Sequence, residues 1–159
     1  YVTSAGDTAL TIGGGLSGSE VAVLNTQSAA DDGGFTLGVS AVTGDLTVAV
    51  GYADGDTTRG VGSNTNIQTD ADVVKAGVKY VTGDLTMNVG FVSGTAVDNI
   101  FAGTNTLEDS HEEVNASVTY AVASGVSAVL GFTTVDQSDE NASSTTGGSS
   151  WYIGATMSF

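Results

Sequence analysis

Carboxylates and a single histidine are the residues in this chain best equipped for chemistry. His111 lies between Ser110 and the pair Glu112 and Glu113, with no cysteine anywhere in the sequence. Nucleophilic catalysis needs a base within hydrogen-bond reach of a serine, threonine or cysteine, held there by a third group. No motif marks such a set, so His111 reads as a solvated loop histidine. Carboxylate pairs are abundant, but with 18 Asp and Glu spread along the chain a pair at the separation that glycoside hydrolysis requires carries no specific signal. Gly13-Gly14-Gly15 follows a strand and opens no helix, which removes the logic of a phosphate cradle. It reads as a lumen-facing or bulged strand segment. The expectation is that the chain is not an enzyme and uses no cofactor.

Four acidic groups merit a separate reading: Asp31-Asp32, Asp54 with Asp56, Asp70 with Asp72, and Glu108-Asp109 with Glu112-Glu113. Hard cations such as calcium prefer these oxygens, and the last group is the candidate site for one. No EF-hand or calcium nonapeptide repeat is present, so plain solvated charge is the favoured alternative. Lys75 and Lys79 stand four apart in an alternating segment, so the pleat sends both to the same side. They read either as pore-lining charges or as paired structural lysines. Asn115-Ala116-Ser117 and Asn141-Ala142-Ser143 match the glycosylation pattern by chance.

The elements that position these groups follow from composition. The 159 residues include 23 Gly, no Pro and no Cys, and Thr, Ser and Val favour extended structure. Residues 1–159 read as a single domain. Arg59, Lys75 and Lys79 are the only strongly basic residues, and the net charge of −15 argues against nucleic acid as a partner. No run approaches the ~18 consecutive apolar residues of a transmembrane helix, a test that a membrane-spanning strand does not have to meet. Tyr1 opens without the features of a signal peptide, so any such segment is expected to have been removed or never to have belonged to this sequence.

Self-similarity organises the chain. Tyr80-Val81-Thr82-Gly83-Asp84-Leu85-Thr86 echoes Val42-Thr43-Gly44-Asp45-Leu46-Thr47 at an offset of 39, with further turn glycines at Gly6 and Gly125. Each unit is a β-hairpin: an alternating run enters a tight turn and a second run leaves it. Long polar loops are expected at 17–33, 55–71, 95–111 and 137–148. Eight strands are visible, plus a remnant at Tyr1 to Thr3.

The first strand, from about Thr8 to Leu16, is the least regular, with Leu10 and Ile12 on the outer face, and one face of each of the other seven is apolar: Phe35, Leu37, Val39, Ala41; Leu46, Val48, Val50, Tyr52; Val74, Ala76, Val78, Tyr80; Leu85, Met87, Val89, Phe91; Val114, Ala116, Val118, Tyr120; Val126, Ala128, Leu130, Phe132; Trp151, Ile153, Ala155, Met157, Phe159. The other face is small and polar, with Lys75, Lys79, Asn88, Asn115 and Thr119 among its larger members. A soluble sheet would coat that face with Lys and Glu, so an enclosed wet lumen fits better. Tyr52, Phe91 and Phe132 follow their turn glycines by 8, 8 and 7 residues, which sets them roughly 20 Å above the turns in a tilted strand. With Trp151 they form one aromatic belt, and Tyr80, Tyr120 and Phe159 form the other.

The tight turns, the long acidic loops and the ending Trp151-Tyr152-Ile153-Gly154-Ala155-Thr156-Met157-Ser158-Phe159 resemble the C-terminal half of bacterial trimeric porins, particularly those of alphaproteobacteria such as the Rhodobacter group. That resemblance implies about eight strands of a sixteen-stranded antiparallel transmembrane β-barrel in the outer membrane of a Gram-negative bacterium. It also implies a homotrimer among lipid and lipopolysaccharide, loop carboxylates that bind divalent ions there, and recognition of Phe159 by the barrel-assembly machinery. The function expected is passive diffusion of small hydrophilic solutes and ions. A closed eight-stranded barrel acting as an anchor or adhesin is the alternative.

Overall fold

The computed structural model describes the backbone of residues 1–21, 30–60, 66–99, 107–139 and 144–158. Side chains are described for 1–18, 33–56, 70–97, 108–138 and 145–158. Phe159 and Asn141 lie outside both sets, and the side chains of Arg59, Asp31 and Asp32 lie outside the second. Nine strands run in chain order: β1 (Val2–Ala5), β2 (Thr8–Val21), β3 (Ala30–Thr43), β4 (Leu46–Gly60), β5 (Asn66–Thr82), β6 (Leu85–Asn99), β7 (Leu107–Ala123), β8 (Val126–Asp139) and β9 (Ser144–Met157). Each pairs antiparallel with the next in one sheet of order β1 to β9.

The expected remnant at Tyr1 is the short β1, hydrogen-bonded through Val2↔Thr11 to Ala5↔Thr8. The turn glycines are where the repeat puts them. Gly44 and Gly83 have φ of 53° and 55°, a left-handed conformation that costs any residue with a Cβ more than glycine. The neighbouring strand reaches each turn: Val81 N–H donates to the Asp45 carbonyl at 2.9 Å and Ala121 N–H to that of Asp84 at 2.8 Å. The ladder has one slip, between Ala121 and Ala123 of β7, a bulge near the turn that absorbs part of the longer offset to Gly125.

Two expectations are corrected. The loops are much shorter than read, because β4 continues through Asp54 and Asp56, and β7 begins at Leu107 rather than after His111. Thr, Ser and Asp at these ends break the apolar alternation, yet their backbones pair without interruption: Asp56↔Asp70, Thr95↔Ser110 and Ser110↔Ser138. The closed eight-stranded alternative is not found either, since no pairing joins β1 to β9 among the described residues. Gly13-Gly14-Gly15 is regular strand, with Gly13↔Gly38 and Gly15↔Thr36 in register and no bulge.

Among the described residues no hydrophobic side chain is buried, while 25 large ones are exposed. A soluble sheet of this size would cover one face with a second layer. Here both faces are open, and the core is missing.

Candidate functional site

The two faces of the sheet meet different surroundings. The apolar face is uncovered: Val50, Val89 and Leu130 are 51%, 54% and 47% exposed, and Ile153 is 86% exposed. Apolar area on this scale far exceeds the few hundred Å² that a soluble monomer leaves open. The sheet curls toward its polar face, which lines most of two concavities of ≈ 470 and ≈ 520 Å³.

The aromatic side chains lie in two rows that step regularly across the strands. Tyr52 is in register with Val74, which is in register with Ser93, so Phe91 stands two residues nearer the turns than the row of Tyr52. Phe91 leads through Val114 to Thr134, and Phe132 again stands two residues lower. Tyr80 and Tyr120 repeat the step at the turn end, through Met87 and Leu85. A belt that crosses about one residue per strand, at ~3.3 Å rise against ~4.8 Å strand spacing, requires a strand tilt of roughly 35°. That is the tilt of a membrane barrel. Within the upper belt Phe132 and Trp151 pair with ring centroids 4.6 Å apart, and Phe35 and Tyr52 at 5.6 Å.

Above the belt the outward face turns acidic, a boundary that the expected loops had hidden. Asp54 faces Asp72 and Asp56 faces Asp70, followed outward on the same face by Glu112↔Asp136. The Tyr52 hydroxyl donates to Asp54 Oδ2 at 3.1 Å, so its ring lies at the apolar edge and its tip meets the charge.

The concave face holds Lys75, Lys79, Asn88, Asn115 and Thr119 together. Lys79 is in register with Asn88, whose Nδ2 donates to Ser117 Oγ at 3.2 Å. Asn115 lies over Gly90, where a Cβ would come within 2.7 Å of its Oδ1. Among the described residues neither lysine has a carboxylate within 4.0 Å; the single charged contact is His111 Nε2 to Glu113 Oε2 at 3.9 Å. Sequence reading missed the apolar part of this face. Val73, Val92 and Val135 point the same way as Lys75 and Glu113, through Lys75↔Val92↔Glu113↔Val135.

The loop histidine and the calcium candidate are both corrected by β7. Glu108 and Glu112 alternate with Asp109 and Glu113 on a regular strand, which sends the two pairs to opposite faces. The four carboxylates therefore do not converge, and no three metal-ligating side chains come together among the described residues. His111 is a concave-face residue, with Gln137 Nε2 3.0 Å from its Nδ1. With the amide donating, Nδ1 accepts and the ring proton sits on Nε2, facing Glu113.

No protein-family model matches the chain, and no curated protein matches it. Solved structures do. OmpTΔL8, a loop L8 deletion mutant of OmpT, an outer membrane protein of Vibrio cholerae, is 18% identical with a TM-score of 0.65, over 98% of this chain and 51% of that one. Outer-membrane expressed OmpT of Vibrio cholerae is 16% identical with a TM-score of 0.64, over 98% of this chain and 53% of that one. The chain thus has the fold of outer-membrane β-barrel proteins and spans about half the length of these two. The exclusion of catalysis is withdrawn. It rested on an isolated loop histidine, whereas His111 shares the concave wall with Glu113 and Gln137, and the solved likenesses are to OmpT, whose shared architecture carries no such exclusion.

Proposed function

We propose that this sheet is part of the wall of a water-filled outer-membrane channel that passes small hydrophilic solutes and ions by diffusion. One observation carries the reading: a tilted apolar band bounded by aromatic belts covers the convex face, while the concave face holds Lys75 and Lys79, unpaired among the described residues, with Asn88 and Asn115. A bilayer accepts the first face, and only water or a polar solute suits the second.

The barrel is completed by strands beyond these nine, running from the β9 edge round to the β1 edge. Two edges left open in a membrane would each expose a row of unsatisfied backbone groups. The resemblance of the Trp151–Phe159 segment to the last strand of alphaproteobacterial trimeric porins supports assembly as a homotrimer among lipopolysaccharide, with Phe159 presented to the assembly machinery.

The test is conductance. The full polypeptide, refolded from detergent and added to a planar bilayer, is expected to give stable ohmic steps. Folded protein that inserts without conducting would overturn the channel reading.

A further inference from the structure

We propose that the concave wall carries, near the loop ends of β5 to β8, a binding subsite for small organic cations with an apolar body. The proposal rests on the reading of this face as a water-filled lumen. It starts from a depression of ≈ 470 Å³ whose lining includes Ala71, Val73, Val92, Ala96, Asp109 and His111.

The depression has a chemical polarity across the strands. On β5 and β6 the residues in register are Ala71↔Ala96 and Lys75↔Val92, with Val73 opposite Gly94. The missing side chain at Gly94 leaves the hollow, and Val73 leans over it, its Cγ2 3.0 Å from where a Cβ would stand. On β7 the partners of Ala96, Gly94 and Val92 are Asp109, His111 and Glu113. An apolar floor thus abuts an anionic rim. Lys75 bounds the floor on the far side, so a cation placed in the hollow is driven toward β7 and away from β5.

Asp109 supplies an independent observation. Its Oδ1 is buried without a hydrogen-bond partner among the described residues, an unfavourable state until a donor arrives. An ammonium group in the depression is such a donor once the carboxylate turns about χ2 to meet it. A bare metal ion suits the hollow less well, since calcium takes ~6–8 oxygens and a third of this lining is Ala and Val. Ammonium against Asp109, with the body of the molecule on Val73 and Val92, satisfies both halves of the site.

The probe is 2-phenylethylammonium, titrated into the full, detergent-refolded protein carrying ¹⁵N-labelled histidine, with 2-phenylethanol and 3-phenylpropanoate as the neutral and anionic comparators. The expected result is a saturable shift of the His111 ring signals with the cation alone. Binding should be at least tenfold weaker in Asp109→Asn and in Val92→Asn, and unchanged in Asp136→Asn, which alters the opposite face. Equal binding of the alcohol, or wild-type binding by Asp109→Asn with an unchanged circular dichroism spectrum, would overturn the subsite. Planar-bilayer recordings separate the two proposals. Conductance that the cation does not block refutes the subsite and leaves the channel, whereas saturable binding by a protein that does not conduct refutes the channel reading alone.

Discussion

The ring of Tyr152 lies directly over Gly131, its partner across β8 and β9, so that a Cβ built on Gly131 would collide with ring atoms Cζ and Cε1. Gly131 is the one buried residue among those described. An aromatic side chain laid on a strand glycine restores the contact that the glycine lacks. Gly131→Ala must push the ring off the wall, and should cost about 1–3 kcal/mol in urea unfolding from lipid vesicles. Adding Tyr152→Ala removes the obstruction, so the double variant should recover most of the loss attributable to the alanine methyl. Additive losses would show that the ring does not rest there.

The assignment of faces predicts a strong asymmetry between neighbours on β6. Val89 is 54% exposed in the middle of the apolar band, while Asn88 lies on the concave face beside Ser117. Arginine near a bilayer midplane costs about 2–4 kcal/mol, falling toward zero in water. Val89→Arg should therefore lose that amount in vesicle unfolding, and Asn88→Arg should lose less than about 1 kcal/mol. Equal losses at the two positions would place both faces in the same solvent.

How far the sequence reveals this arrangement depends on which periodicity is intact. Between Leu46 and Tyr52, or Leu85 and Phe91, alternation is unbroken and each side chain lies on the expected face. Beyond Tyr52 the outward series continues as Asp54 and Asp56, and the hydropathy signal reverses although the backbone does not. A strand that runs on past its apolar stretch keeps its ladder and loses the alternation, so those residues read as loop. The same break hid His111 and the Val73–Val92 floor. Position on the wall depends on register between strands, and register is a property of pairs that one strand's pattern does not contain.

Lys75 and Lys79 test the lumen directly. Both are on the concave face and neither is neutralised by a carboxylate within 4.0 Å among the described residues. In a channel they repel cations in transit, so Lys75→Gln with Lys79→Gln should raise cation over anion permeability. The reversal potential in a salt gradient should move accordingly, with the shift shrinking as ionic strength rises. An unchanged reversal potential would place both ammonium groups away from the conduction path.

The acidic rim above the belt is a source of strain with a sign that can be measured. Asp56 and Asp70 are directly opposite on adjacent strands, and like charges so placed destabilise a sheet by up to about 1 kcal/mol. Asp70 has Val97 on its other side, so Asp70→Asn removes the repulsion without breaking any charged pair among the described residues. The substitution should stabilise the folded barrel by a few tenths to about 1 kcal/mol at low salt. At ~1 M salt, where the screening length is about 3 Å, most of that gain should vanish. A divalent cation shared by the pair would reverse the outcome: the substitution would then destabilise, and chelation would abolish the difference. Thermal melting of wild type and variant at two salt concentrations, with and without chelator, separates repulsion from bridging.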